Sequence, residues 1–509
     1  MAASDATGES PHAPSKPTDA PLIDHDAYRF QLDLSDSIGA YIREARWEQF
    51  GGLTYRGADL GRAIGLNLYF RLVNDSVLRA AHARAMAGEK LSEDPDAIPV
   101  TTEAYWVLRQ MLGRPPPQLP RHGFQAALKR WKIYAERSWA MGTPHLEREP
   151  RLARQNGGVL ILALSRRFFD YLLPVRQALG ADAAWLVPAG AAWAEEAVAS
   201  GEPVLQFSEK EGRKPEGPLT APLAEYWREM ALRFDTFREI LEREAPAAVM
   251  MTEGNQPDDE ILARAARTLG IRSICIQQGW SPIIHTGFRD MQYDDFCVWG
   301  PEFGRLLQPE NPRQHFAATG SHRIEPTAAA TPASARAISF FLQKDSLLIT
   351  ERAWREMLDL VRWTAATWPE RDILVREHPA APLTAEERSA LCALPNIVLC
   401  PSATMSLDTV LRQTGVAVAF YSTTLIEALA YGAVPLIINI TGAPHYVPDL
   451  AAMGAGIEVK DFAAARTAMG QLCDGGGPTW SHMASVLPRF FAGSSAEALR
   501  NIAALARLR

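Results

Sequence analysis

The stretch Ala419-Phe420-Tyr421-Ser422-Thr423-Thr424-Leu425-Ile426-Glu427-Ala428-Leu429-Ala430-Tyr431-Gly432-Ala433-Val434-Pro435 joins an apolar run to a helical one through three consecutive hydroxyl residues. Residues 416–420 are short, apolar and rich in β-branched side chains, whereas Leu425, Leu429 and the alanines between them repeat at helical spacing, so the period changes at Ser422. The hydroxyls are placed to cap the helix. Free N–H groups and the positive end of the helix dipole then face whatever lies beyond, a setting that suits phosphate. Glu427, one turn in, could reach a ribose hydroxyl. Read alone, the stretch is equally an ordinary capped helix of an α/β protein.

The same rhythm extends to both sides. Residues 338–342, 373–376, 397–399 and 434–440 read as strands, with an amphipathic helix over 351–367. Upstream, a strand over 159–164 is followed by Ser165 as a helix cap and by Phe168, Phe169, Leu172 and Leu173 at helical spacing. Further strands are predicted at 184–187, 204–207, 247–251, 273–276 and 296–299, with helices near 219–244 and 258–269. Strands alternating with helices imply parallel sheets covered on both faces. The low-complexity run Pro326-Thr327-Ala328-Ala329-Ala330-Thr331-Pro332-Ala333-Ser334 predicts a linker over 326–336. The chain therefore divides into a disordered tail (1–24), a helical N-terminal region (25–150), a first Rossmann-like domain (151–325) and a second (337–509) that ends in helices. The helical region, with Leu53, Leu60, Ile64, Leu68 and Phe70, carries no chemical signal. Two β/α domains in series place a cleft between the carboxyl ends of their sheets, where ligands of such folds bind.

Composition narrows the function. The 509 residues are 47% hydrophobic with a net charge of −7, and no half carries the Lys/Arg excess that nucleic acid requires. Five cysteines, widely spaced and mostly in apolar runs, predict reduced thiols in a cytoplasmic protein, without zinc spacing or disulfides. The first residues resemble neither a signal peptide nor an anchor, and no run approaches the roughly 20 apolar residues that span a bilayer. Lys129, Arg130 and Lys132, with tryptophans nearby, leave peripheral contact with the inner membrane open beside the plainer reading of a solvated helix face.

Several stretches follow strands and would face the cleft. In Thr252-Glu253-Gly254-Asn255, Glu253 ends an apolar strand and Gly254 permits a tight turn; a partly desolvated carboxylate there has its pKa raised toward that of a general base. The alternative is that Glu253 caps the helix starting near Asp258. Gln277, Gln278 and Gly279 offer amides for a sugar and a close backbone approach, or a simple turn. Arg166, after the first strand, is a further candidate acceptor or sugar ligand. His378 and Pro379 end another strand, with His378 able to bond a phosphate or base edge and Pro379 presetting the backbone. Gly320-Ser321-His322-Arg323, at the hinge, could offer Ser321 and an arginine to a phosphate, or be an interdomain turn. Asp294-Asp295 is expected on the surface. Phosphate-binding P-loop, dinucleotide and nucleophile-elbow motifs are absent, and so are metal clusters.

In their order, Thr252-Glu253-Gly254, His378-Pro379 and Ser422-Thr423-Thr424 resemble the motifs of GT-B glycosyltransferases, more narrowly the bacterial capsule and lipopolysaccharide sialyltransferase and Kdo-transferase groups, over about 155–480. Thr252 departs from that pattern, standing where those families carry an acid. The resemblance implies two Rossmann-like domains about a central cleft and an inverting, metal-independent transfer of a hexosyl or sialyl/Kdo-type sugar. It implies that Glu253 deprotonates the acceptor, that His378 contacts the nucleotide's phosphate or base, that Ser422, Thr423 and Thr424 hold the phosphate, and that Glu427 could reach the ribose. No cofactor is implied; the nucleotide sugar is a co-substrate, with CMP-sugars slightly favoured over UDP-sugars, and the acceptor is a glycan or lipid-linked saccharide. Two readings compete: a UDP-sugar 2-epimerase, which would line the cleft with acids and extra arginines, and a non-catalytic nucleotide- or sugar-binding protein of the same fold.

Overall fold

The computed structural model describes residues 21–44, 52–90, 102–113, 158–207, 223–281, 284–326, 336–343, 348–378, 381–440 and 448–507. Pro379, most of the expected linker, and Lys129, Arg130 and Lys132 lie outside the described residues.

Two parallel sheets organise the chain. The first has seven strands in the order Val204–Phe207, Ala183–Pro188, Val159–Leu162, Ala248–Thr252, Arg272–Ile276, Asp295–Val298 and Phe316–Ala318. The second has six, in the order Ile397–Leu399, Ile373–Arg376, Ala337–Phe341, Thr414–Ala419, Val434–Ile438 and Ile457–Val459. All neighbours within each are parallel, and in both the chain starts in the interior, winds one way, then crosses back and winds the other. This is the doubly wound Rossmann-like topology, and two copies about a cleft form the expected GT-B architecture. The expected strands fall within a few residues of the observed ones. The edge strands Phe316–Ala318 and Ile457–Val459 escape sequence reading because each is three residues long and holds no fully buried residue.

In each sheet the order reverses between the first and fourth strands, and the segments leaving those strands open a crevice at their carboxyl ends. In the first domain these are the segments carrying Arg167, at the start of the helix Arg166–Leu179, and Glu253; in the second, those carrying Gln343 and Ser422.

Three features differ from expectation. Residues 21–24, expected to belong to a disordered tail, are ordered: Ile23 is buried and bridges to Ile349, while Asp24 caps the helix His25–Ile42 by accepting the Ala27 N–H at 2.8 Å. Asp295 is buried, paired with Arg272 at 2.6 Å and bonded to His315, although its neighbour Asp294 is exposed. A charge is tolerated there because it is matched at short range. Finally, the last helix, Ser495–Arg507, packs through Ile502, Ala503 and Ala506 into the first domain's core, so the chain's end crosses back out of the second domain.

The N-terminal helices are not a separate cap. The helix Gly61–Leu72 packs against Ala224–Glu244 and Pro257–Thr268 of the first domain.

Candidate active site in the interdomain cavity

A cavity of about 700 Å³ lies where the two crevices meet. From the first domain it is lined by Arg167, Tyr171, Glu253, Asn255, Gln277, Gln278, Gly279, Trp280, His285 and Arg323, and from the second by Gln343, His378, Asp408, Ser422, Thr423 and Glu427 among others.

Glu253 sits at the end of the buried strand Ala248–Thr252 with φ +63°. A left-handed glutamate costs about 1–3 kcal/mol, so the surrounding structure must hold it there. Gly254 follows at φ +67°, and a Cβ at that position would lie 2.8 Å from Cys275 Sγ. The turn lifts the carboxylate out of the strand and into the cavity, where its side chain is 19% exposed and meets Arg167 Nη2 at 2.6 Å. Burial pushes its pKa above the ordinary carboxylate value, while Arg167 and Asn255 pull it part of the way back. Glu253 does not cap the following helix. Pro257–Thr268 is capped from Gln256, whose N–H is accepted by Asp259 at 3.3 Å. Thr252 is buried and donates its hydroxyl to Ile276 O at 2.9 Å, so it supplies backbone pairing and no acid.

Arg166 is not in the site. It bonds Asp170 at 2.8 Å and Glu196 at 2.6 Å on the outer helix face, and its neighbour Arg167 faces the cavity instead, bonding both Glu253 and Gln278. Adjacent helical residues point about 100° apart, so a one-residue error in the helix phase exchanges the two.

Gln277 lines the cavity, but its side chain is engaged. Its Oε1 accepts the Trp299 N–H at 3.0 Å and its Nε2 donates to Gly279 O at 3.2 Å. Tyr171 Oη and Trp299 Nε1 both donate to its carbonyl. It is scaffold. Gly279 provides the close approach expected of it, toward the other domain: a Cβ there would lie 3.3 Å from Thr423 Oγ1. The Trp280 N–H donates to that hydroxyl at 2.8 Å, and the hydroxyl lies 3.2 Å from Trp280 O, to which it donates. The Trp280 indole N–H has no partner among the described residues.

Ser422 caps the helix Thr423–Ala430, its Oγ accepting the Thr424 N–H at 3.2 Å. Ser422 and Thr423 line the cavity and the Thr424 side chain does not. The three hydroxyls are therefore divided among a cap, an interdomain contact and a position outside the cavity. His378 lines the cavity, exposed, just past the strand Ile373–Arg376. Ser321 does not: it is buried, its hydroxyl without a partner among the described residues, in a turn covered by the returning chain, where a Cβ on Gly320 would lie 2.7 Å from Ala492 O. Its neighbour Arg323 reaches the cavity and donates to Asp170 O at 3.0 Å. His322 is structural. It bonds Tyr171 O at 2.7 Å, and burial lowers its pKa to about 4.

Glu427 is half-buried and lines the cavity, and among the described residues its carboxylate accepts no hydrogen bond. Burial raises its pKa to about 7, against the opposing pull of Arg323 and Arg376. The folded chain thus holds this proton more tightly than the unfolded one, so its stability falls as pH rises from about 4.5 to about 7, and the full cost persists above that window. Glu427→Gln removes a cost of up to about 3 kcal/mol. The expected result is a melting temperature several degrees higher at pH 8 and unchanged near pH 4. Equal shifts at both pH values would refute the assignment.

Arg167, Arg323, His285 and Asp408 line the cavity in addition to the residues expected from the sequence. Only Arg323 left a signal, in the hinge turn. Among the described residues, no group of three or more His, Cys, Asp or Glu side chains could hold a metal ion, and no helix is long and apolar enough to cross a membrane.

No family model matches the sequence, and no curated protein matches it. Solved structures share its outline. A glycotransferase of kitacinnamycin is similar over 69% of this chain and 99% of its own, at 14% identity and a TM-score of 0.45. A UDP-GlcNAc 2-epimerase from Methanocaldococcus jannaschii is similar over 68% and 99%, at 12% identity and a TM-score of 0.46. MurG from Acinetobacter baumannii is similar over 69% and 99%, at 12% identity and a TM-score of 0.45. None is similar enough to carry a function to this chain, which leaves that question to the site.

Proposed function

We propose that this protein is an inverting glycosyltransferase that moves a sugar from a nucleotide-sugar donor to a hydroxyl of a glycan or lipid-linked saccharide. One observation carries the reading: a half-buried carboxylate with a raised pKa, Glu253, and a hydroxyl-capped helix N-terminus, at Ser422 and Thr423, line a single cavity from opposite domains. In the proposed step Glu253 takes the proton of the acceptor hydroxyl, whose oxygen attacks the anomeric carbon opposite the leaving phosphate. The bond from that carbon to the phosphate oxygen breaks, and the electron pair leaves with the nucleotide. The helix N-terminus and Arg323 offset the developing charge, with no metal needed. His378 reaches the phosphate or base, and Glu427 the ribose. Thr423 is bound to Trp280 in this form, so donor entry separates that contact. The acceptor lies on the side of Arg167 and Gln278. We place CMP-sugars slightly ahead of UDP-sugars on the His378-Pro379 and Ser422-Thr423-Thr424 motifs, with a cytoplasmic capsule or lipopolysaccharide role.

A thermal-shift screen of CMP, UMP, CDP and UDP tests the donor side. A nucleotide at 100 times its Kd stabilises the fold by about 2.7 kcal/mol. A shift with the cytidine nucleotides alone is expected; no shift with any nucleotide removes the basis of the proposal.

An isomerase acting on a UDP-sugar has one observation in its favour. Arg167 and Arg323, with Glu253, Glu427 and Asp408, give the cavity more arginines and acids than the strand ends alone predict. It is separated by incubating UDP-sugar in deuterated water without acceptor, where epimerisation at C2 would leave deuterium on the sugar.

A further inference from the structure

The N-terminal helical region reaches the candidate active site through one side chain. Arg62, in the helix Gly61–Leu72, is 7% exposed and lies behind the Glu253 turn. Its Nη2 donates to Gly254 O at 3.1 Å and to Gly287 O at 2.7 Å, and its Nε donates to Arg289 O at 2.9 Å. Its Nη1 pairs with Glu260 at 2.5 Å, and Glu260, 1% exposed, is shared with Arg264. The Gly254 carbonyl also accepts the Tyr293 hydroxyl at 2.9 Å. The peptide next to Glu253 is thus held from behind by two donors, and one of them also ties the 285–289 loop, whose His285 and Phe288 line the cavity.

This arrangement answers a physical need. Two successive left-handed residues, Glu253 and Gly254, lie in a sheltered turn whose own backbone bonds are Glu253 N–H to Ile276 O at 3.0 Å and Gly254 N–H to Thr252 O at 2.9 Å. Relaxing Glu253 out of its strained conformation would swing the carboxylate out of line with the cavity. A guanidinium can hold carbonyls from separate loops because its donors form a rigid planar fork, and the buried Glu260 balances its charge.

We propose that Arg62 is a positioning residue that fixes the Glu253 turn, so that the N-terminal helical region is part of the catalytic apparatus. This rests on Glu253 acting as the base. Lysine at position 62 keeps the charge opposite Glu260 but, as a single point donor, cannot span Gly254, Gly287 and Arg289.

The test uses the full chain and the CMP- or UDP-sugar that gives the largest thermal shift, with water as acceptor and nucleotide release as readout. Arg62→Lys is expected to lower kcat tenfold or more with donor KM and nucleotide thermal shift unchanged. Tyr293→Phe, which removes the second donor to Gly254 O, is expected to lower kcat about threefold in the same pattern, and it carries the test if Arg62→Lys does not fold. Wild-type kcat in the folded variants overturns the proposal. So does a parallel loss of kcat, nucleotide binding and melting temperature, which would mark a general structural role. Unchanged nucleotide release in Glu253→Gln would instead sink the base assignment itself, whatever the Arg62 variants show.

Discussion

Glu253→Gln is expected to lower donor turnover by about 10²–10⁴-fold, the usual contribution of a positioned general base, while nucleotide binding persists. Glutamine preserves the volume and the bond to Arg167, so the turn keeps its shape and only proton acceptance is lost. The pH profile sharpens the expectation. Burial raises the Glu253 pKa, so the acidic limb of kcat/KM in the wild-type protein lies above the ordinary carboxylate range, and activity rises with pH as the group ionises. In Glu253→Gln that limb disappears. Steady-state turnover across pH, with nucleotide thermal shifts in parallel, measures both. Retained turnover with the limb intact would place the base elsewhere, while a loss of nucleotide binding together with turnover would point to a collapsed turn. Nucleotide binding by a wild-type protein that turns over no donor would favour the non-catalytic binding reading.

Gly300→Ala is expected to destabilise the fold by about 3 kcal/mol or more, at the upper end for overpacking. The backbone at Gly300 is extended, with φ −154°, so conformation is not the constraint. Space is. A Cβ there would lie 2.4 Å from Arg489 O and 2.4 Å from Phe490 C, both main-chain atoms that no rotamer change can move. The contact is the seam where the returning chain meets the first domain. Ala492 N–H donates to Trp299 O at 2.8 Å, Phe491 stacks on Trp299 with ring centroids 6.0 Å apart, and Arg489 pairs with Glu302 at 2.7 Å. Forcing the seam apart releases residues 491–507, including the helix that fills the first domain's outer core. A lowered denaturant midpoint, with faster hydrogen exchange over 495–507, is the expected signature. A midpoint equal to wild type would show that the seam opens without cost.

The candidate site was partly legible from local pattern. Glu253, Gln278, Gly279, His378, Ser422, Thr423 and Glu427 all follow or flank apolar strands, and the carboxyl ends of parallel strands are where such folds gather ligands. The structure brings them to one cavity. Arg166 was the wrong member of an adjacent pair, because spacing in a helix identifies a face only within about one residue. Ser321 and Gln277 carried the right polar groups, but the returning chain covers the one and the Trp299 backbone engages the other. Thr424 faces away for the same reason that Ser422 caps: in the first helical turn consecutive side chains diverge.

Two parallel β/α domains were written in the sequence, since short apolar β-branched runs alternating with amphipathic helices have few other ways to bury their surfaces. So were the strand-to-helix joint at Ser422 and the carboxylate at a strand end. Tertiary structure alone decided that Arg62 reaches the Glu253 turn from 191 positions away in the numbering, that Arg167 pairs with it, that Thr423 closes onto Trp280, and that the last helix returns to the first domain. Each is a contact between residues far apart in the chain, set by which faces the folded domains turn toward one another, and no local period encodes that.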